Sequence, residues 1–315
     1  MFAYLSLHRE YNTAVIEVST YLVSIITIFV VIIALKTVLK HYIIDLKNTI
    51  TGEIIMSNKI NVVIWNENFH EQTKPEIAAV YPKGIHGAIA EKLSQFGQYN
   101  ITTATLDKPC HGLTDEVLNN CDVLIWWGHA KHAEVSDEIA EKVKNRVLDG
   151  MGFIPLHSAH LCKPFVKLMG TVCRSKWREN DEKERIWVIE PSHPIAEGLP
   201  EYIELEQEET YGERFEIPTP DELVFISWFS GGEVFRSGVC YKRGLGKVFY
   251  FRPGHESYPT YYRDDIALII KNAVEWAAPR NFTRPTLGHF EAIEKVKDKF
   301  EGMSDAERKH ENLGK

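Results

Sequence analysis

The chain has 315 residues, 44% apolar and 25% charged, which is enough for one large folded domain or two ordinary ones and excludes a disordered or collagen-like chain. Lys plus Arg is 36 against 44 for Asp plus Glu, a net charge of −8 without any basic run, so no nucleic-acid partner is expected. The cysteines at 110, 121, 162, 173 and 240 form no C-x-x-C pair, which points to a reducing compartment and against a disulfide scaffold or a cysteine zinc module.

Residues 1–55 differ from the rest. Val18–Leu35 is an uncharged run of 18 residues. As a helix it is about 27 Å long, close to a bilayer's hydrocarbon core. It predicts a single membrane-spanning helix, with Lys36, Lys40 and Lys47 placing everything after it in the cytoplasm. A buried helix would read the same way, and so would a segment upstream of a natural start at Met56. The membrane enters only through this run.

From Lys59 strands and helices alternate. Ile60–Trp65, Asp122–Trp127 and Gly152–Leu156 are short apolar runs of the kind that form buried parallel strands, and Ile101–Leu106 reads as a further strand. Gly84–Phe96 carries Ile85, Ile89 and Leu93 on one helical face. Ser136 is placed to cap a helix that Gly150 closes, and Ser158 to cap a helix over Ala159–Met169. Residues 171–233 are less regular and hold an acidic stretch from Glu201 to Glu216. Phe225–Phe229, Phe235–Tyr241 and Lys247–Phe251 read as strands, and Arg263–Ala277 as a closing helix. The pattern predicts one α/β domain over 56–278 with a doubly wound, mainly parallel sheet, followed by a polar tail at 279–315. Such sheets carry their chemistry at the carboxyl ends of the strands. Here those ends read Asn66-Glu67-Asn68, Gly128-His129 and His157-Ser158-Ala159-His160.

WWGH at 126–129, LHSAH at 156–160, HPI-EGLP at 193–200, EETYGERF at 208–215, GGEVFRSG at 231–238 and YFRPGHESYPTYY at 250–262 resemble the trehalose-utilisation (ThuA-like) family. The resemblance covers roughly residues 59–278. It implies a flavodoxin-like fold similar to class I glutamine amidotransferases, and a role in the use of trehalose-type disaccharides or keto-sugars. The amidotransferases place a nucleophilic cysteine on the turn after a strand. The matching turn, Leu156–His160, has none, so glutaminase chemistry is not expected.

His129, His157, His160 and His255 all fall at or just after strand ends. His157, His160, Glu209 and His255 are the expected acids and bases. His129, His160 and His255 are the expected ligands if a divalent metal such as zinc is bound. Trp127, Tyr211 and Tyr258 are placed to stack on a sugar, and Arg236 is either a site cation or a salt-bridge partner. No Gly-rich nucleotide motif occurs, so no NAD, FAD or ATP is expected. The expected partner is a small carbohydrate, and a homo-oligomer is left open. Two functions fit. One is a sugar isomerase, epimerase or hydrolase; the other is a non-catalytic sugar-binding or regulatory module. Paired ionisable groups at the strand ends favour the enzyme.

Overall fold

The computed structural model describes residues 59–279 without a break, with Lys36, 288–294, 301–302, 304 and 306–307 besides. The predicted helix at 18–35 and most of the polar tail lie outside the described residues. Among the described residues no helix is long and apolar enough to cross a membrane. One compact unit ends at Pro279, and Arg280–Lys315 is a separate unit.

In chain order the elements are β1 (Ile60–Asn66), α1 (His70–Thr73), α2 (Pro75–Val80), α3 (Gly84–Ser94), β2 (Tyr99–Thr105), α4 (Asp115–Asn119), β3 (Val123–Trp127), α5 (Asp137–Leu148), β4 (Gly152–Leu156), α6 (Lys163–Met169), β5 (Lys176–Val188), β6 (Tyr202–Gly212), β7 (Glu222–Phe229), β8 (Val234–Arg243), β9 (Gly246–Phe251) and α7 (Asp264–Ala277). All nine strands join one sheet in the order β2-β1-β3-β4-β9-β8-β7-β5-β6. From β2 to β9 the neighbours are parallel. From β9 to β6 they are antiparallel. The sheet is therefore mixed, half parallel and half antiparallel, rather than mainly parallel.

The parallel half forms as its apolar runs dictate. Along β1, Val62 and Ile64 enter one core layer with Ile85 and Ile89 of α3 and Ile269 and Ile270 of α7. Val63 and Trp65 enter the opposite layer with Ile139 and Val143 of α5 and Phe165 of α6. The alternation follows from the period-two geometry of a strand covered on both faces. Each fully buried aliphatic side chain contributes about 1.5–3 kcal/mol. The Ser136 hydroxyl accepts from the Ile139 N–H and caps α5 as expected.

The antiparallel half is where the sequence pattern was least regular. The acidic stretch becomes β6, an edge strand. Its outward positions stay exposed while Glu208, Glu209, Thr210 and Tyr211 turn into the protein. Between Leu156 and Lys163 the chain makes a short 3-10 turn at His157–Leu161 instead of continuing a helix from Ala159. Ser158 does not cap α6. Its hydroxyl lies 2.7 Å from that of Tyr211.

Candidate active site

Three parallel strands, β3, β4 and β9, deliver His129, His157 and His255-Glu256 to one point at their carboxyl ends. The ring centroids are 5.6 Å apart for His129–His157, 5.1 Å for His129–His255 and 5.4 Å for His157–His255. One donor atom from each, with a Glu256 oxygen, lies within 4.8 Å of the others.

His157 sits on the sharp turn after β4 with φ +53, a left-handed conformation that costs a non-glycine residue about 1–2 kcal/mol. Its Nδ1 lies 3.0 Å from the Arg252 carbonyl oxygen, which can only accept. The proton is therefore on Nδ1, and Nε2 carries a bare lone pair. That lone pair faces Glu209 Oε2 at 3.1 Å. His157 is 0% exposed and Glu209 3%. Neither facing atom has another hydrogen-bond partner. Two acceptors cannot rest against each other in a dry site. A proton or a cation belongs between them. Burial pushes the Glu209 carboxyl up, with His255 and His129 opposing. Burial, reinforced by His129 and Arg252, holds His157 neutral, well below its usual range.

Glu256 binds two imidazoles. Its Oε2 is 2.6 Å from His129 Nδ1 and its Oε1 is 2.5 Å from His70 Nδ1. Burial alone would raise its pKa, but the hydrogen bonds from His129 and His70 hold it far below the usual carboxylate range. Burial likewise opposes a charge on His129, yet the Glu256 contact raises its pKa overall. His255 is pushed down to about 3, first by burial and then by His157. Its Nδ1 accepts from the Ser257 N–H at 3.2 Å.

Buried carboxylates hold this arrangement in place. Glu67 accepts from the backbone N–H groups of His129, Ala130 and Lys131 at 2.8, 2.8 and 3.0 Å and shapes the turn after β3. Glu208 accepts from the N–H groups of Gly254 and His255 and from the Thr260 hydroxyl, shaping the turn after β9. Arg252, fully buried, pairs with Glu184 and donates to the Glu209 carbonyl.

A cavity of about 370 Å³ opens over the cluster, lined by Glu209, Tyr211, His129, His160, Arg174 and Trp177 among others. That is the small end of the range for ligand pockets, roughly 300–1,000 Å³. Of the expected residues, His129, His160, Glu209 and Tyr211 line it, with His157 and His255 packed against His129 and Tyr211. His160 lies outside the converging donors. Its Nδ1 is turned to the Cys173 carbonyl at 2.5 Å, and His157 and Glu256 complete the set instead. Trp127 does not reach the cavity. It is fully buried, donates its indole N–H to the Gly254 carbonyl and lies parallel to His157 at 6.4 Å. Arg236 is bound to Glu213 and the Phe215 carbonyl. Tyr258 donates to Asp181, packs 5.7 Å from His255 and faces a separate groove beside Arg263.

His70, Glu256, Glu179 and Trp177 were not singled out in the sequence. Glu256 adjoins His255 inside a quoted motif. His70 follows β1, so the strand-end rule that picked out His129 reaches it too. Glu179 and Trp177 lie in β5, whose irregular pattern gave no signal.

The profile of the trehalose utilisation (ThuA) family matches residues 61–277. The chain belongs to the ThuA family. Among solved structures, a ThuA-like protein from Parabacteroides merdae superposes with a TM-score of 0.54 at 14% identity, covering 73% of this chain and 93% of that one. A ThuA-like protein from Bacteroides uniformis gives 0.49 at 15% identity, over 69% and 91%. A glutamine amidotransferase from Thermotoga maritima gives 0.45 at 10% identity, over 70% and 98%. No match was found among curated proteins. The ThuA match covers all nine strands except Ile60, the first residue of β1, and every residue of the histidine cluster. The turn after β4 carries His157, and the next cysteine along the chain, Cys162, is fully buried with its pKa pushed up by that burial.

Proposed function

We propose that this ThuA-family domain is a sugar-converting enzyme that moves a proton on a carbon next to a carbonyl, as an isomerase or epimerase does. The observation that carries the reading is the His157–Glu209 contact, two buried acceptor atoms 3.1 Å apart that leave a place for one proton. In the resting site the shared proton sits on Glu209 against His157 Nε2; once it is lost to solvent, Glu209 takes the proton from the substrate carbon and so restores the favoured arrangement. The electron pair moves onto the carbonyl oxygen, and His129, kept cationic by Glu256, donates a hydrogen bond to that oxygen. His129 passes its proton to that oxygen and takes one from the hydroxyl of the adjacent carbon, and Glu209 returns its proton to that adjacent carbon on the same face, which gives the isomer. A general base of this kind contributes about 10²–10⁴ in rate. His157 holds the proton on Glu209 between the two transfers, since its Nε2 can only accept.

The same two facing atoms also favour a second reading, in which a divalent cation assists. His129, His157, His255 and Glu256 would hold it, His255 through Nε2 only after its proton moves to Nδ1 and the Ser257 N–H bond is given up, with Glu209 beside them. Zinc bonds of 2.0–2.1 Å put ligand atoms no more than about 4.2 Å apart, so the donors would close in slightly. The ion would polarise the sugar carbonyl. His160 would not be a ligand. A non-catalytic sugar binder has less use for two mutually unsatisfied groups, since leaving them so costs stability without aiding affinity.

The test is deuterium incorporation from D2O into a panel of keto-sugars and aldoses, followed by proton NMR, for the wild type and Glu209→Gln. The wild type should wash out one carbon-bound proton, and Glu209→Gln should be at least about 100-fold slower. The glutamine is nearly isosteric and its amide N–H can take the place of the shared proton toward His157 Nε2, so the melting temperature should stay close to that of the wild type. Equal exchange by both proteins refutes the proposal.

A further inference from the structure

The wall of the cavity built by the start of β5 carries two side chains that the proton-transfer chemistry does not use. Trp177 is paired with Tyr211 across the β5–β6 ladder, so both rings leave the same face of the sheet. Tyr211 is buried in the floor, whereas Trp177 is 70% exposed at the mouth. Among the described residues its indole has no aromatic, cationic or hydrogen-bonding partner. A large apolar ring left in water and aimed over a pocket is informative where a buried one is not. Beside it on the rim is Arg174, exposed, with no carboxylate or other acceptor for its guanidinium among the described residues. Four residues on, Arg178 is held by Glu182 and Glu233. Below the rim carboxyl groups outnumber the cation, His129. Glu209 lies in the floor, Glu256 behind it, and Glu179 is 3.7 Å from His255 Nε2.

We propose that the substrate of this site is an anionic sugar derivative, bound with the apolar face of its ring on Trp177 and its carboxylate or phosphate on Arg174. The acidic floor and the cationic rim fix its direction. The charged substituent points outward, and the neutral reacting carbon descends toward Glu209 and His129. A negative group could not enter the floor without meeting Glu209 and Glu256 at close range. A flat ring offers the indole a stacking surface, and the planar guanidinium suits bidentate pairing with either oxyanion. This inference rests on the proposed sugar chemistry and adds the class and orientation of the substrate.

The test is isothermal titration of the full chain with D-glucuronate, D-glucose 6-phosphate and neutral methyl glucoside, at low and at physiological salt. At least one anionic sugar should bind tenfold or more tightly than the neutral one, and whichever does so names carboxylate or phosphate. Arg174→Gln should remove that preference and leave neutral-sugar binding alone. Trp177→Ala should weaken all three about tenfold. Both side chains are exposed, so the melting temperature serves as the control for folding. Equal affinity for charged and neutral sugars, a preference that survives Arg174→Gln, or no binding of any of the three overturns the inference. If it falls while Glu209→Gln still halts deuterium exchange, the proposed chemistry stands without it. If exchange is also unaffected, both fall.

Discussion

Replacing Arg252 by Met would test whether the buried ion network holds the active site together. Arg252, Glu184 and Glu208 are each 0% exposed. Arg252 pairs with Glu184, lies 3.6 Å from Glu208 and donates to the Glu209 carbonyl, while its own carbonyl takes the His157 Nδ1–H. Methionine fills most of the volume but leaves the carboxylates without their cation. Glu208 keeps three other donors, from Gly254, His255 and Thr260. Glu184 keeps only the Ser227 hydroxyl, so it is the group left most exposed to the loss. Removing one member of a buried pair costs about 3–5 kcal/mol, a large share of the roughly 5–15 kcal/mol that stabilises a domain. For a domain of this size the melting temperature should fall by about 6–20 °C. Adding Glu184→Gln, which keeps an acceptor for Ser227 and removes the orphan charge, should recover about 1–3 kcal/mol. Urea unfolding at pH 7, followed by tryptophan fluorescence, measures both. The single variant's deficit should shrink toward pH 5. Its orphaned carboxyl is raised above the unfolded value, so the penalty grows as pH rises and fades as the group takes up a proton. A single variant within about 1 kcal/mol of wild type, or a double variant no better than the single, would show that the network contributes little.

His160 makes stability depend on acid. Burial is the largest influence on it and pushes it down to about 4, only partly offset by its bond to the Cys173 carbonyl. Below about pH 6.5 the unfolded chain therefore binds a proton that the folded chain refuses, and stability is lost as pH falls from there toward 4. The loss at pH 5 relative to pH 7 should be about 2 kcal/mol for this residue, and His160→Asn should flatten the slope in urea titrations; an unchanged slope would remove His160 as its source. Gly254→Ala should destabilise by at least about 1–3 kcal/mol from backbone strain alone. Its φ is +114, and a Cβ there would lie 2.2 Å from the buried Tyr261 hydroxyl, so wild-type stability in calorimetry would contradict the geometry. If a cation assists, zinc at about 100 times its dissociation constant should stabilise the wild type by about 2.7 kcal/mol and leave His157→Asn unmoved. No thermal shift in the wild type, or equal shifts in both proteins, would refute the metal reading.

Local pattern carried the parallel half of the fold. Apolar runs of five or six residues with helical faces between them have few solutions, and β1, β3 and β4 lie where their burial on both faces requires. The rule that strands deliver chemistry at their carboxyl ends then located His129, His157 and His255 from the sequence alone. The edge strand β6 was hidden because one of its faces is solvated. Its glutamates look like an ordinary charged surface until pairing with β5 turns Glu208 and Glu209 inward. Trp127 and Arg236 show the converse. Their positions at the end of β3 and along β8 suited a site, but neighbours distant in the chain, Gly254 and Glu213, claim their polar groups. His160 differs from His157 by three residues and a tight turn, which aims one ring at the cavity floor beside Cys173 and the other at Glu209. Residue type and strand register are properties of the chain. Which lone pair faces which oxygen depends on a carbonyl 95 residues away, that of Arg252 on His157, and only the folded structure sets it.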